Sequence, residues 1–138
     1  MGYSKLLFLH VLAAFTVVTG VGLQVAIGLA LRKPAYAPVA LRLAPAARAF
    51  SAIGGTAVIL FGIWLAIHDS QYSLTDGWIL AAIVLWAIAA GVGERLSAMY
   101  ERLGHGDGAA PPPLAMHAAL VATVLALLLD MIYKPGAG

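Results

Sequence analysis

The chain has 138 residues, 62% of them hydrophobic and only 10% charged, with a mean hydropathy of +0.95. A soluble domain of this size needs more charge than that to cover its surface, so the composition excludes a water-soluble globule and points to lipid as the solvent. There is no cysteine, which excludes disulfides, thiolate metal sites and cysteine nucleophiles, and the net charge of +2 follows membrane topology rather than nucleic acid.

Lys5 precedes an apolar run over residues 6–31. A signal-peptide core is about 7–15 residues, and this run is nearly twice that, so it reads as a retained membrane helix. "MGYSKL" has Leu6 where a myristoylation signal wants Ser or Thr. Four segments are long enough to span a hydrocarbon core of roughly 30 Å, which takes about 20 helical residues. They are 4–31, 47–69, 76–99 and 112–133. Helices satisfy their own backbone in lipid. The expected fold is therefore all-α, a four-helix transmembrane bundle forming a single domain over 1–138. "RKPAYAPVALRLAPAA" (32–47) is expected to separate the first two spans, because it carries three prolines. "DSQYSLTDG" (69–77) reads as a polar turn, and "ERLGHGDGAAPPP" (101–113) as a Gly/Pro loop leading into the fourth helix.

Four spans put both termini on one side, here called the terminal side. That side holds Lys5 and Lys134, whereas the opposite, basic side holds Arg32, Lys33, Arg42, Arg48, Arg95 and Arg102. The positive-inside rule places the basic side in the cytoplasm. The expected location is a bacterial inner membrane, with both termini outside and loops 32–46 and 100–111 cytoplasmic. Tyr3, Trp64, Tyr72, Trp78 and Tyr133 near one interface, and Tyr36 and Tyr100 near the other, form the expected aromatic belts.

At 100° per residue, His10, Ala14, Val17, Val21, Gln24 and Gly28 share one face of the first helix. Ser51, Gly55, Val58, Gly62 and Asp69 share a face of the second, and Ala119, Thr123, Ala126 and Asp130 a face of the fourth. Small residues permit close helix approach in lipid, and polar ones avoid hydrocarbon by facing inward.

Ionisable groups inside a membrane are expensive and often functional. His10 lies about 9 Å along the first helix, counting 1.5 Å per residue. His68 and Asp69 close the second helix, and Asp130 lies about one turn from the end of the fourth. All four belong to one layer near the terminal side. His10 and His68 are therefore candidate haem or metal ligands, with Asp130 as a third metal ligand or an orienting partner. A proton-relaying His–Asp pair is the other chemical option. The structural alternative has Asp130 hydrogen-bonding His10, with Gln24, Asp69 and Asp130 as polar contacts. His117, at the start of the fourth helix, is expected at the basic interface, and His105 in solvent. Glu94, Arg95, Glu101 and Arg102 read as salt-bridge or headgroup residues. No Gly-x-Ser-x-Gly, His-Glu-x-x-His, P-loop or dinucleotide fingerprint occurs.

"LLFLHVLAAFTVVTGVGLQV", with a histidine two turns into the first span and Gly20 beyond it, resembles a broad group of small bacterial membrane proteins. The group takes in copper-resistance protein D-like proteins, HemJ-type protoporphyrinogen oxidases and an uncharacterised integral-membrane family. Helix count and the "GW" at Gly77–Trp78 look most like the last of these. The HemJ resemblance implies His10 as a haem ligand in a protein that handles porphyrin; haem b or copper is the candidate cofactor. The residues themselves favour a non-enzymatic accessory subunit of a larger membrane assembly, its partners being the bilayer and a membrane protein or further copies of itself. A haem- or copper-binding protein using His10 is the alternative, followed by a small oligomeric transporter or channel.

Overall fold

The computed structural model describes residues 2–68, 76–106 and 111–133. Four helices follow in chain order: α1 (Tyr3–Ala30), α2 (Ala37–His68), α3 (Gly77–Gly104) and α4 (Leu114–Tyr133). All four are long and apolar enough to cross a membrane, and no strand occurs among the described residues. The chain is a four-helix membrane bundle. At 1.5 Å per residue, the shortest helix, α4 with 20 residues, spans ~30 Å, one hydrocarbon thickness.

The surface confirms the solvent. Phe8, Phe15, Ile53, Leu60, Ile67 and Ile132 are all exposed, an arrangement stable only where lipid covers them. The buried core lies mostly toward the basic side, where Val21 and Ile27 of α1, Ala40 and Ala47 of α2, Leu96 and Tyr100 of α3, and Leu120 and Val124 of α4 meet.

Two boundaries differ from the sequence expectation: α3 runs past the expected 99 to Gly104, so 101–104 are helix rather than loop, and α2 starts early. Residues 37–46 are helical, so α2 begins about ten residues before the expected 47, and the break between α1 and α2 shrinks to 31–36. Pro38 sits in the first turn, where its missing N–H costs nothing, but Pro45 is interior and deprives the Leu41 carbonyl of a partner. The helix continues because Ala40, before that defect, and Ala47, after it, are buried at 3% and 1% exposure in the core. Pro45 itself is exposed. Packing of the small alanine face outweighs the local penalty of proline.

The other ends are conventional. α3 stops where Gly106 turns to φ +72°, a left-handed position that suits glycine, and its N–H bonds the Leu103 carbonyl at 3.2 Å. Pro113 directly precedes α4 and accepts from the Met116 N–H at 3.1 Å.

The helices pack unevenly. α1 lies along α2, and α3 along α4, whereas α1 and α4 touch only lightly. The α1–α2 crossing is backbone on backbone: a methyl group built on Gly20 would lie 2.7 Å from the Ser51 nitrogen, and one on Gly54 2.7 Å from the Val17 nitrogen. At the basic end, Arg48 of α2 bonds Glu94 at 2.9 Å and Glu101 at 3.4 Å, both on α3. These side chains are about half exposed, and exposed pairs contribute roughly 0.2–1 kcal/mol. Arg48→Gln is therefore expected to lower unfolding stability by less than about 1 kcal/mol, with the difference vanishing at high salt. Detergent-exchange unfolding with and without 1 M salt (on the order of a 3 Å Debye length) measures it.

Candidate functional site

Toward the terminal side the two helix pairs part around an apolar cavity of about 750 Å³. α1 contributes His10 and Ala14, α2 Val58 and Gly62, α3 Trp78 and Trp86, and α4 Leu128 and Met131. No Lys, Arg, Asp or Glu occurs among the described residues of its wall. The cavity reaches the lipid-facing surface, because wall residues such as Phe15 (67% exposed) on α1 and Ile132 (71%) on α4 are also outer-surface residues. The light contact between α1 and α4 leaves it open sideways.

His10 stands in this wall, half-buried. Its ring Nδ1 donates to the Val58 carbonyl at 3.1 Å. The approach is possible because Gly62 lies one turn beyond Val58. A methyl group built on Gly62 would sit 3.1 Å from the imidazole Cε1, so any side chain there would press on the ring. A carbonyl can only accept, so Nδ1 carries the hydrogen. His10 Nε2 makes no hydrogen bond among the described residues. On the adjoining wall, the Trp86 indole donates to the Gly55 carbonyl at 2.8 Å, which fixes that ring against the cavity.

The expected partnership of His10 with Asp130 is corrected by this geometry: the partner is the Val58 backbone on α2. The reason is neighbour identity. α1 packs against α2, while α4 packs against α3 and meets α1 only lightly. Asp130 is half-buried, lies outside the cavity wall, and its Oδ2 has no hydrogen-bond partner. His68 is exposed and stacks on Tyr3, with ring centroids 6.5 Å apart and planes 20° apart. Tyr3 lines the cavity, so His68 stands at its rim rather than facing His10. Asp69 lies outside the described residues. No group of three or more His, Asp or Glu side chains gathers as a metal site among those described.

A second polar cluster, at the basic side, is one the sequence reading did not assemble. His117 is buried at 3% exposure, not interfacial as expected. Its Nδ1 donates to the Pro113 carbonyl at 3.2 Å, and its Nε2 pairs with the Tyr100 hydroxyl. That hydroxyl also lies 3.0 Å from the Gln24 carbonyl. Gln24, 1% exposed, donates its side-chain amide to the Gly93 carbonyl and the Ser97 hydroxyl, each at 3.3 Å. Gly28 lets the imidazole lie against α1: a methyl group there would come within 2.7 Å of the ring Cε1. α1, α3 and α4 are thus joined by one buried network (Gln24, Ser97, Tyr100 and His117).

Fold and site together define a small polytopic membrane protein, joined toward its basic end by a buried polar network and holding, in its terminal half, an apolar cavity beside a histidine. Comparison with known proteins finds no matching family model, no matching curated protein and no matching solved structure.

Proposed function

We propose that the protein binds an uncharged, membrane-dissolved ligand in the cavity of its terminal half, with His10 Nε2 as the polar contact. The observation that carries this reading is the pairing of an apolar, laterally open volume of about 750 Å³ with one imidazole nitrogen left unbonded. Ligand sites are characteristically concave and apolar, with few polar groups that fix orientation. The positive-inside bias orients the basic side to the cytoplasm, so in a bacterial inner membrane the cavity opens to the outer leaflet.

Haem b and copper, implied by the resemblance of the first span, are a poorer fit to the donor set. A histidine that donates Nδ1–H to a backbone carbonyl is poised as an iron ligand through Nε2. The described wall, however, holds no cation for the two haem carboxylates. For copper, no cluster of further His, Asp or Glu ligands stands beside His10. An uncharged ligand suits the lining better, and no reaction is assigned.

The test is extraction of the protein purified in lipid nanodiscs, followed by mass spectrometry and an absorption spectrum. A neutral amphiphile enriched over bulk lipid is expected, and His10→Phe is expected to retain about tenfold less, the equivalent of one hydrogen bond. Identical extracts from both proteins would sink the reading, and a Soret band lost in His10→Phe would restore haem.

The accessory-subunit role is a second reading. It is favoured by the exposed stripe Phe50, Ile53, Leu60, Trp64 and Ile67 along α2, on residues other than those lining the cavity. Such a stripe can seat another membrane helix. Native mass spectrometry after mild extraction distinguishes a stable complex from a lone monomer.

A further inference from the structure

We infer that the cavity's ligand is a hydrogen-bond donor: a phenol or hydroquinone bearing an apolar tail, whose ring hydroxyl donates to His10 Nε2. This rests on the proposed reading of the cavity and narrows it to a chemical class.

Three observations converge. The first is the tautomer. Because the Val58 carbonyl takes the Nδ1–H, a neutral His10 ring presents only a lone pair at Nε2. No carboxylate among the described wall residues stands by to pair with a charged ring. A ketone, ester or quinone oxygen would face that lone pair with another lone pair, whereas a hydroxyl completes the bond. The second is the lining. Trp78 and Trp86 are wall residues, and Trp86 is pinned to the Gly55 carbonyl. Fixed aromatic rings favour a flat ring in stacked or edge-on contact over a floppy chain. The third is access. The cavity opens between exposed residues of α1 and α4, among them Val11, Phe15 and Ile132. A ligand arriving through that gap comes from the bilayer, so it carries a hydrocarbon tail that stays among the lipid chains. Phospholipids fit less well, because their charged headgroup finds no ion-pairing side chain on the described wall.

The experiment compares a long-chain alkyl hydroquinone, the matching quinone and the hydroquinone dimethyl ether. Binding to wild-type and His10→Phe protein in nanodiscs is measured by calorimetry in deoxygenated buffer without added reductant, so that hydroquinone and quinone each keep their oxidation state, with empty nanodiscs subtracting partition into lipid. The His10 Nε2 resonance is followed by ¹⁵N spectroscopy. The hydroquinone is expected to bind about tenfold more tightly than either the quinone or the ether, one net hydrogen bond. It alone is expected to shift Nε2. His10→Gln, whose amide can donate to Val58 and accept from the ligand, is expected to recover part of the preference, which guards against a folding defect in His10→Phe. Equal saturable binding of all three would overturn the donor assignment while leaving the cavity reading intact. Tighter binding of the quinone would overturn it likewise. Binding of none beyond the partition control overturns this inference; neutral amphiphile still recovered by extraction would leave the broader reading in place.

Discussion

Gly54→Leu is expected to lower unfolding stability by about 3 kcal/mol, the upper end of typical overpacking costs, and Gly20→Leu is expected to do the same. At both positions the main chain of the partner helix is an obstacle; on Gly20 the Ser51 hydroxyl stands closer still, but turning it away leaves the Ser51 backbone in place. The nearest atom to a methyl group on Gly54 is the Val17 nitrogen at 2.7 Å, and on Gly20 the Ser51 nitrogen is equally close. A backbone cannot rotate out of the way, so α1 and α2 must separate along their crossing. That separation removes close van der Waals packing, which is the main attraction between helices when lipid is the alternative neighbour. It also carries Val58 away from His10, so ligand retention falls together with stability. Gly22 supplies the control. It is exposed, with nothing within 4 Å of the added methyl group, so Gly22→Ala should be neutral or gain up to about 1 kcal/mol from helix propensity. Reversible unfolding in mixed micelles measures all three. Equal behaviour of Gly22→Ala and Gly54→Leu would show that the crossing is not as tight as described.

The four spans were legible because length and hydropathy decide them, and neither depends on which helix neighbours which. Residues 37–46 were not, because proline rules are local. What keeps that turn helical is burial of Ala40 and Ala47 against groups far away in the chain, such as Leu96 and Tyr100. The depth of His10 was also readable from helix counting, but its partner was not. Depth placed it in a layer with Asp130, whereas the identity of the adjacent helix gave it a backbone carbonyl that side-chain reasoning passes over. The accessible signal was Gly62, one turn past Val58, where a missing side chain uncovers the carbonyl. Gly28 plays a comparable part beneath His117. His117 escaped because the start of α4 was read as an interface. Tyr100, Gln24 and His117 share a layer at the basic side as clearly as the titratable groups share one at the terminal side, and the same depth argument finds them.

That basic-side layer makes its own prediction. Tyr100→Phe is expected to cost about 1–2 kcal/mol of unfolding stability. The removed hydroxyl leaves His117 Nε2 without its hydrogen-bond partner at a site only 3% exposed, where water cannot replace it. His117→Ala should cost more, about 3 kcal/mol, because it also empties the space between Gly28 and Tyr100. The two changes should not add. Once the imidazole is gone, the Tyr100 hydroxyl loses one of two partners, and the remaining one, the Gln24 carbonyl, is a helix backbone oxygen. The second substitution then removes less, giving a coupling of about 1 kcal/mol, within the range for contacting pairs. A double-mutant cycle in mixed micelles measures the coupling, and strict additivity would show that Tyr100 and His117 do not bond. The same cycle separates the two ends of the bundle. The buried network is built from Gln24, Ser97, Tyr100 and His117, none of which lines the cavity. Tyr100→Phe should therefore loosen the protein while leaving the His10-dependent part of ligand retention unchanged. Loss of both together would mean that the basic end sets the width of the opening between α1 and α4, and that the two halves work as one device.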